Sequence, residues 1–115
     1  MIKAIATTAV VVSNTVKAAK WYKDNLGFVV EGEPKEHWVT VGVKGGAQRL
    51  HLCQSKTLEP GNTGISLLCD DLNKTYQELV KKGVKFTVKP KKETWGSYAM
   101  LSDPDGNEFW MMPEE

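Results

Sequence analysis

The chain has 115 residues and a mass of 12.8 kDa, and its 15 Lys plus Arg against 14 Asp plus Glu leave a net charge of +1. A chain of this length with 41% apolar and 25% charged residues buries roughly two-thirds of its unfolded surface, so it is an ordinary globular domain and not a staple-dependent miniprotein. The near-neutral charge gives little attraction for phosphate backbones or anionic lipid, and no apolar run reaches the roughly 18 to 20 residues of a membrane helix. Neither nucleic acid nor membrane is expected as a partner.

The segment from about Ile2 to Val12 reads as a strand covered on both faces. Its β-branched end, followed by the cap candidates Ser13 and Asn14, argues against a secretion signal. Asn14 opens a helix with the inward stripe Val16, Ala19, Tyr22 and Leu26, and Gly27 stops it. A short strand over 28–31 ends before Pro34. Strands over 38–43 and 48–54 follow as a hairpin, with Gly45-Gly46 as a two-residue turn needing positive φ at both positions. Thr57 to Asn62, with Pro60-Gly61, reads as a linker.

The second half runs in the same order. A strand over 63–69 leads to a helix capped by Asp70 or Asp71, whose inner face is Leu72, Tyr76, Leu79 and Val80. Gly83 stops this helix, a strand over 84–88 ends before Pro90, and strands over 98–102 and 108–112 flank the turn Asp103-Pro104-Asp105-Gly106. Val16 and Leu72, Gly27 and Gly83, and Pro34 and Pro90 are each separated by 56 residues. The sequence therefore predicts an α+β protein of two tandem βαβββ modules, 1–56 and 63–115, in one domain, since neither half buries its sheet alone. The lysines at 81, 82, 85, 89, 91 and 92 read as a solvated face guarding an edge strand.

Alternation assigns the faces. With the turn at Gly45-Gly46, Arg49 lies opposite Gly42, His51 opposite Thr40 and Cys53 opposite Trp38. The face away from the helix then carries Trp38, Thr40, Arg49, His51 and Cys53. In the last hairpin Trp110 is placed opposite Ala99 and Met112 opposite Ser97, with Glu108 towards the rim. Two such faces turned towards each other would enclose an inter-module cavity lined by tryptophans, an imidazole and small polar groups, suited to a small, partly aromatic or apolar ligand.

The whole chain resembles the vicinal oxygen chelate superfamily, which includes glyoxalase I, extradiol dioxygenases and the bleomycin and fosfomycin resistance proteins. The residues carrying the resemblance are Thr8-Ala-Val-Val-Val12, Ala19-Lys-Trp-Tyr-Lys-Asp-Asn-Leu-Gly-Phe28 and Asp103-Pro-Asp-Gly-Asn107. It implies paired modules forming an open barrel, usually in a homodimer, with the site inside each barrel. Whether modules pair within one chain or exchange between chains stays open. The metal-ligand positions of the superfamily fall here on Thr7, His51, Gly64 and Trp110. Only His51 among them is a good ligand, so a divalent metal is not expected as a cofactor.

Trp38, Thr40, His51, Cys53, Trp95 and Trp110 are accordingly the candidate ligand-binding residues, with His51 and Glu108 the candidate acid/base groups of an alternative, catalytic reading. The first reading is a metal-free protein of the glyoxalase/bleomycin-resistance type that binds a small molecule. The alternative is a glyoxalase-type lyase or isomerase using His51 as acid/base or as the sole retained metal ligand. Cys53 and Cys69 form no CxxC pair or disulfide framework and read as reduced thiols of a cytoplasmic protein.

Overall fold

A computed structural model describes residues 1–35 and 37–114. The elements run β1 (Ala9–Val12), α1 (Thr15–Leu26), β2 (Val29–Lys35), β3 (Trp38–Gly42), β4 (Arg49–Gln54), β5 (Gly61–Cys69), α2 (Leu72–Lys81), β6 (Lys85–Glu93), β7 (Gly96–Ser102) and β8 (Asn107–Pro113). They form two four-stranded sheets of the same strand order, β1-β4-β3-β2 and β5-β8-β7-β6. This is the α+β arrangement of two βαβββ modules. By internal packing the chain divides into two compact units, 1–58 and 59–115.

In the first unit the helix covers one sheet face. Asn14 caps α1 by accepting from the Lys17 N–H at 2.9 Å, and Gly27 ends it at φ 72°. The buried stripe is Thr15, Ala18, Ala19 and Tyr22, set against Val10, Val12, Val39, Val41, Leu50 and Leu52 of the sheet. The expected stripe through Val16 is therefore corrected, for Val16 is 58% exposed. The helix caps, Asn14 and Asp71, lie 57 residues apart, one more than the glycine stops. Leu72 thus corresponds to Thr15; of the expected stripe Ala19 and Tyr22 are buried, Leu26 is half-buried and Val16 alone faces outward. Gln54 Oε1 accepts from the Thr15 N–H at 2.9 Å and ties the helix start to β4.

The first strand is shorter than the apolar run suggested. The ladder starts at Ala9, which pairs with His51 in parallel; β4 has only Arg49 and Leu50 before His51, so residues preceding Thr7 have no strand to pair with in this sheet. The Thr8 carbonyl still accepts from the His51 N–H at 2.9 Å, while Ile2 and Ile5 are exposed. Only one face of β1 is covered, by way of Val10 and Val12.

Both prolines expected to end strands lie inside them. Pro34 sits in β2 and Pro90 in β6, and each is the outer strand of its sheet, with register shifts nearby. An edge strand has no outer neighbour to receive a donor, so proline removes no ladder bond there. The lysines at 81, 82, 85, 89, 91 and 92 are all exposed, along or just before the β6 edge. β5 begins at Gly61, inside the segment read as a linker.

The turns decide the registers. In the first hairpin the Gly46 N–H donates to the Val43 carbonyl at 2.8 Å, which makes Lys44 and Gly45 the central residues. Only Gly45 has positive φ, at 81°, so the expected Gly45-Gly46 turn is displaced by one residue. The strand register nevertheless matches, with Trp38 opposite Cys53 and Thr40 opposite His51. In the last hairpin the register differs by one residue: Met100 lies opposite Trp110 and Ser102 opposite Glu108, where Ala99 had been expected opposite Trp110. The cause is Asp103. Its N–H donates to the Asn107 carbonyl at 2.9 Å, and its carboxylate accepts from the N–H groups of Asp105 and Asn107 and from the Asn107 amide, each at 2.9 Å. The loop is therefore three residues, 104–106, the length that ends in a left-handed glycine.

In the second unit Asp71, not Asp70, caps α2, accepting from the Lys74 N–H at 3.0 Å. Leu72 and Leu79 are buried on its inner face, Tyr76 is half-buried against Phe86 with ring centroids 4.7 Å apart, and Val80 is exposed. Ala99, Leu101, Phe109 and Met111 form the buried sheet face.

Two outcomes follow for stability. Leu52→Ala is expected to cost about 2–5 kcal/mol and Val16→Ser less than about 0.5 kcal/mol in urea unfolding. The reverse ranking would place the stripe back on Val16. Asp103→Ala strips the turn of an acceptor whose residue is only 4% exposed and is expected to cost about 2–3 kcal/mol by the same measurement. A loss below about 0.5 kcal/mol would show that the carboxylate does not set the register.

Candidate functional site

Each sheet has a second face, away from its helix. In the first unit it carries Trp38, Thr40, Arg49, His51 and Cys53, and of these Trp38 is exposed while the other four are half-buried. The Trp38 and His51 rings stack with centroids 4.7 Å apart and 24° between planes. The Thr40 hydroxyl is hydrogen-bonded to His51 Nδ1 at 3.0 Å. Stacking and this bond fix the imidazole plane, leaving Nε2 as the edge available for contact. The Arg49 guanidinium is taken up by protein: it pairs with Glu31 and donates to the Gly46 carbonyl at 2.7 Å.

In the second unit the equivalent face carries Trp110, Glu108, Met100 and Ser102, and alternation adds Tyr98 and Met112. Trp95, in the loop between β6 and β7, stacks on Tyr98 at 5.2 Å and 27° and lies 6.0 Å from Trp110. Tyr98 and Trp110 are 4.9 Å apart. Three rings thus form one cluster. Its outermost member, Trp95, is 54% exposed. Tyr98 had not been singled out, because the expected register put it on the helix side; reading Asp103-Pro-Asp-Gly-Asn107 as a three-residue loop restores it to Trp110's face. The diagonal pairs Trp38/His51 and Tyr98/Trp110 occupy corresponding strands of the two modules.

The structure brings Trp38, Thr40, His51 and Cys53 together on one sheet, and Trp95, Trp110 and Glu108 belong to the other unit. Thr7 precedes β1 and is exposed. Gly64 lies where β5 changes register against β8, at φ 74°. The donor chemistry at Thr7, His51, Gly64 and Trp110 does not fit a resident divalent cation, since one imidazole is the only strong ligand among them. Among the described residues no three His, Cys, Asp or Glu side chains form a group able to hold a metal ion. Burial is the main influence pushing the Cys69 thiol up, opposed by a hydrogen bond from Thr75 and reinforced by Asp70, Asp71 and Glu114. That keeps it protonated and a poor nucleophile. His37 is exposed at the turn before β3.

An open hollow of about 360 Å³ lies where α2 begins, lined by Leu72, Asn73, Pro90, Lys91, Lys92, Ser97 and Pro113. None of the candidate residues lines it, and none of its lining residues is aromatic. The aromatic faces are the better candidate site because their rings are both accessible and fixed in position.

Residues 4–111 match the model of the Glyoxalase/Bleomycin resistance protein/Dioxygenase superfamily. The chain is 32% identical to the uncharacterized protein YetH of Bacillus subtilis (strain 168), over 95% of this chain and 97% of that protein. It is also 32% identical to TnmS3, an antibiotic binding protein from Streptomyces sp. CB03234, whose crystal structure matches with a TM-score of 0.82 over 99% of this chain and 98% of TnmS3. The bleomycin-binding protein of Streptomyces verticillus, crystallised with copper(II)-bleomycin, shares the fold at 16% identity, with a TM-score of 0.75 over the full length of both chains. With the family model covering nearly the whole chain and the two βαβββ modules in place, the protein belongs to the Glyoxalase/Bleomycin resistance protein/Dioxygenase superfamily.

Proposed function

We propose that this protein binds a small, partly aromatic or apolar organic molecule through the ring-bearing faces of its sheets, without a metal, and works as a homodimer. The observation that carries the reading is the Trp95–Tyr98–Trp110 cluster, with 4.9–6.0 Å between ring centroids on a face that no helix covers. Flat, electron-rich surfaces held rigidly by a sheet lose little side-chain entropy on binding and gain stacking and dispersion energy. TnmS3, described as an antibiotic binding protein, lends support by its similarity over nearly the whole chain. The superfamily's usual dimeric state supports the homodimer.

A glyoxalase-type reaction would ask more of the site. It needs a metal-bound or strongly basic group beside a carbonyl, and His51 is here the partner of Thr40 and the stacking neighbour of Trp38. These contacts suit a ring that shapes a binding surface.

Titration with the neutral fluorescent arene 1-aminoanthracene tests the reading. Saturable binding with tryptophan quenching is expected, and Trp95→Ala or Trp110→Ala should weaken it about tenfold, the value of one ring contact. His51→Ala is expected to weaken it less. Unchanged affinity in both tryptophan variants would refute the assignment. Light scattering of the full chain should give about twice the mass of one chain; a single-chain mass would remove the homodimer.

A further inference from the structure

A tryptophan side chain has one polar group, the indole N–H, and it can only donate. In Trp110 that donor is already engaged: Nε1–H donates to Asn62 Oδ1 at 3.1 Å. The same oxygen accepts from the Gly64 N–H at 2.8 Å, so two donors converge on it and the carboxamide is held although Asn62 is exposed. Asn62 and Trp110 are not register partners. Asn62 lies opposite Glu108 and Ser66 opposite Trp110, with the register shift of β5 between them. The shift is fastened by Thr63 as well, whose hydroxyl donates to the Glu108 carbonyl at 2.8 Å and accepts from the Ile65 N–H at 3.1 Å. Gly64, at φ 74°, takes the left-handed conformation that other residues avoid and that this bend requires. The bend in β5 therefore has a use beyond the ladder: it fixes an acceptor against the edge of the indole.

We infer that Asn62 is a positioning residue of the aromatic face, locking the Trp110 indole and consuming its only donor so that a ligand meets the π face of the ring. The inference rests on the reading that this face binds an organic molecule, and it narrows the ligand class. A locked indole facing Tyr98 at 4.9 Å favours flat, unsaturated ring systems held by face and edge contact. It gives no advantage to molecules that present a carbonyl or other acceptor to the indole N–H.

The full ¹⁵N-labelled chain provides a direct test, since its four tryptophans give separate indole N–H resonances and Trp110→Phe identifies the one of interest. In Asn62→Leu the Trp110 resonance should shift and its exchange with water accelerate on the order of tenfold, the other three staying in place. The Kd for 1-aminoanthracene should rise about five- to tenfold. In a Trp110→Phe background, which has no indole donor, Asn62→Leu should change that Kd by less than about twofold; a role confined to the bend of β5 would weaken both backgrounds equally. An unmoved Trp110 resonance, or equal losses in both backgrounds, would overturn the inference. If the unaltered protein does not bind the probe, the binding reading falls and the ligand-class inference with it, while the resonance still decides whether Asn62 holds the indole.

Discussion

A pleated strand sends successive side chains to opposite faces, and one residue of register exchanges the two sets. That constraint governs both modules. In each, one face is aliphatic and closed by a helix, through Leu50 and Leu52 in the first unit and Phe109 and Met111 in the second. The opposite face takes a different set of side chains, among them Trp38, His51, Tyr98 and Trp110. Aliphatic burial drives folding, and the proposed recognition is built on the face it leaves over.

The chemistry of that second face bears on what it can hold. The positions that the resemblance assigns to metal ligands on the second module fall on a glycine at a strand bend and on an indole, linked by Asn62 through the bonds it accepts from Gly64 and Trp110. On the first module the imidazole of His51 remains but is tied to Thr40 and Trp38. A cation needs several strong ligands converging on one point, whereas a flat organic molecule needs rigid ring surface and exclusion of water. The proposed function rests on the side chains present meeting the second requirement.

Much of this was legible in the sequence. The module order, both helices and the face shared by Trp38, Thr40, His51 and Cys53 follow from alternation and caps alone. The misreadings each have a local cause. Val16 reads as inward because it lies three residues before Ala19, whereas the buried stripe starts at Thr15, which Gln54 ties to β4. Pro34 and Pro90 read as strand ends although an edge strand tolerates proline, and the lysines around Pro90 already mark such an edge. Tyr98 was missed because Asp103 pairs with Asn107 through its own side chain and shortens the loop to three residues. Asn62 gave no signal at all, for its role depends on a bend in β5 that brings non-partner residues together.

The central claim is that these faces grip rings and not a cation. Elemental analysis of the chain purified without chelator, incubated with zinc, nickel, manganese or iron and then desalted, tests it most directly. The account predicts far less than one equivalent of any metal, with His51→Ala indistinguishable from the unaltered protein. One tightly held equivalent that disappears in His51→Ala would contradict it.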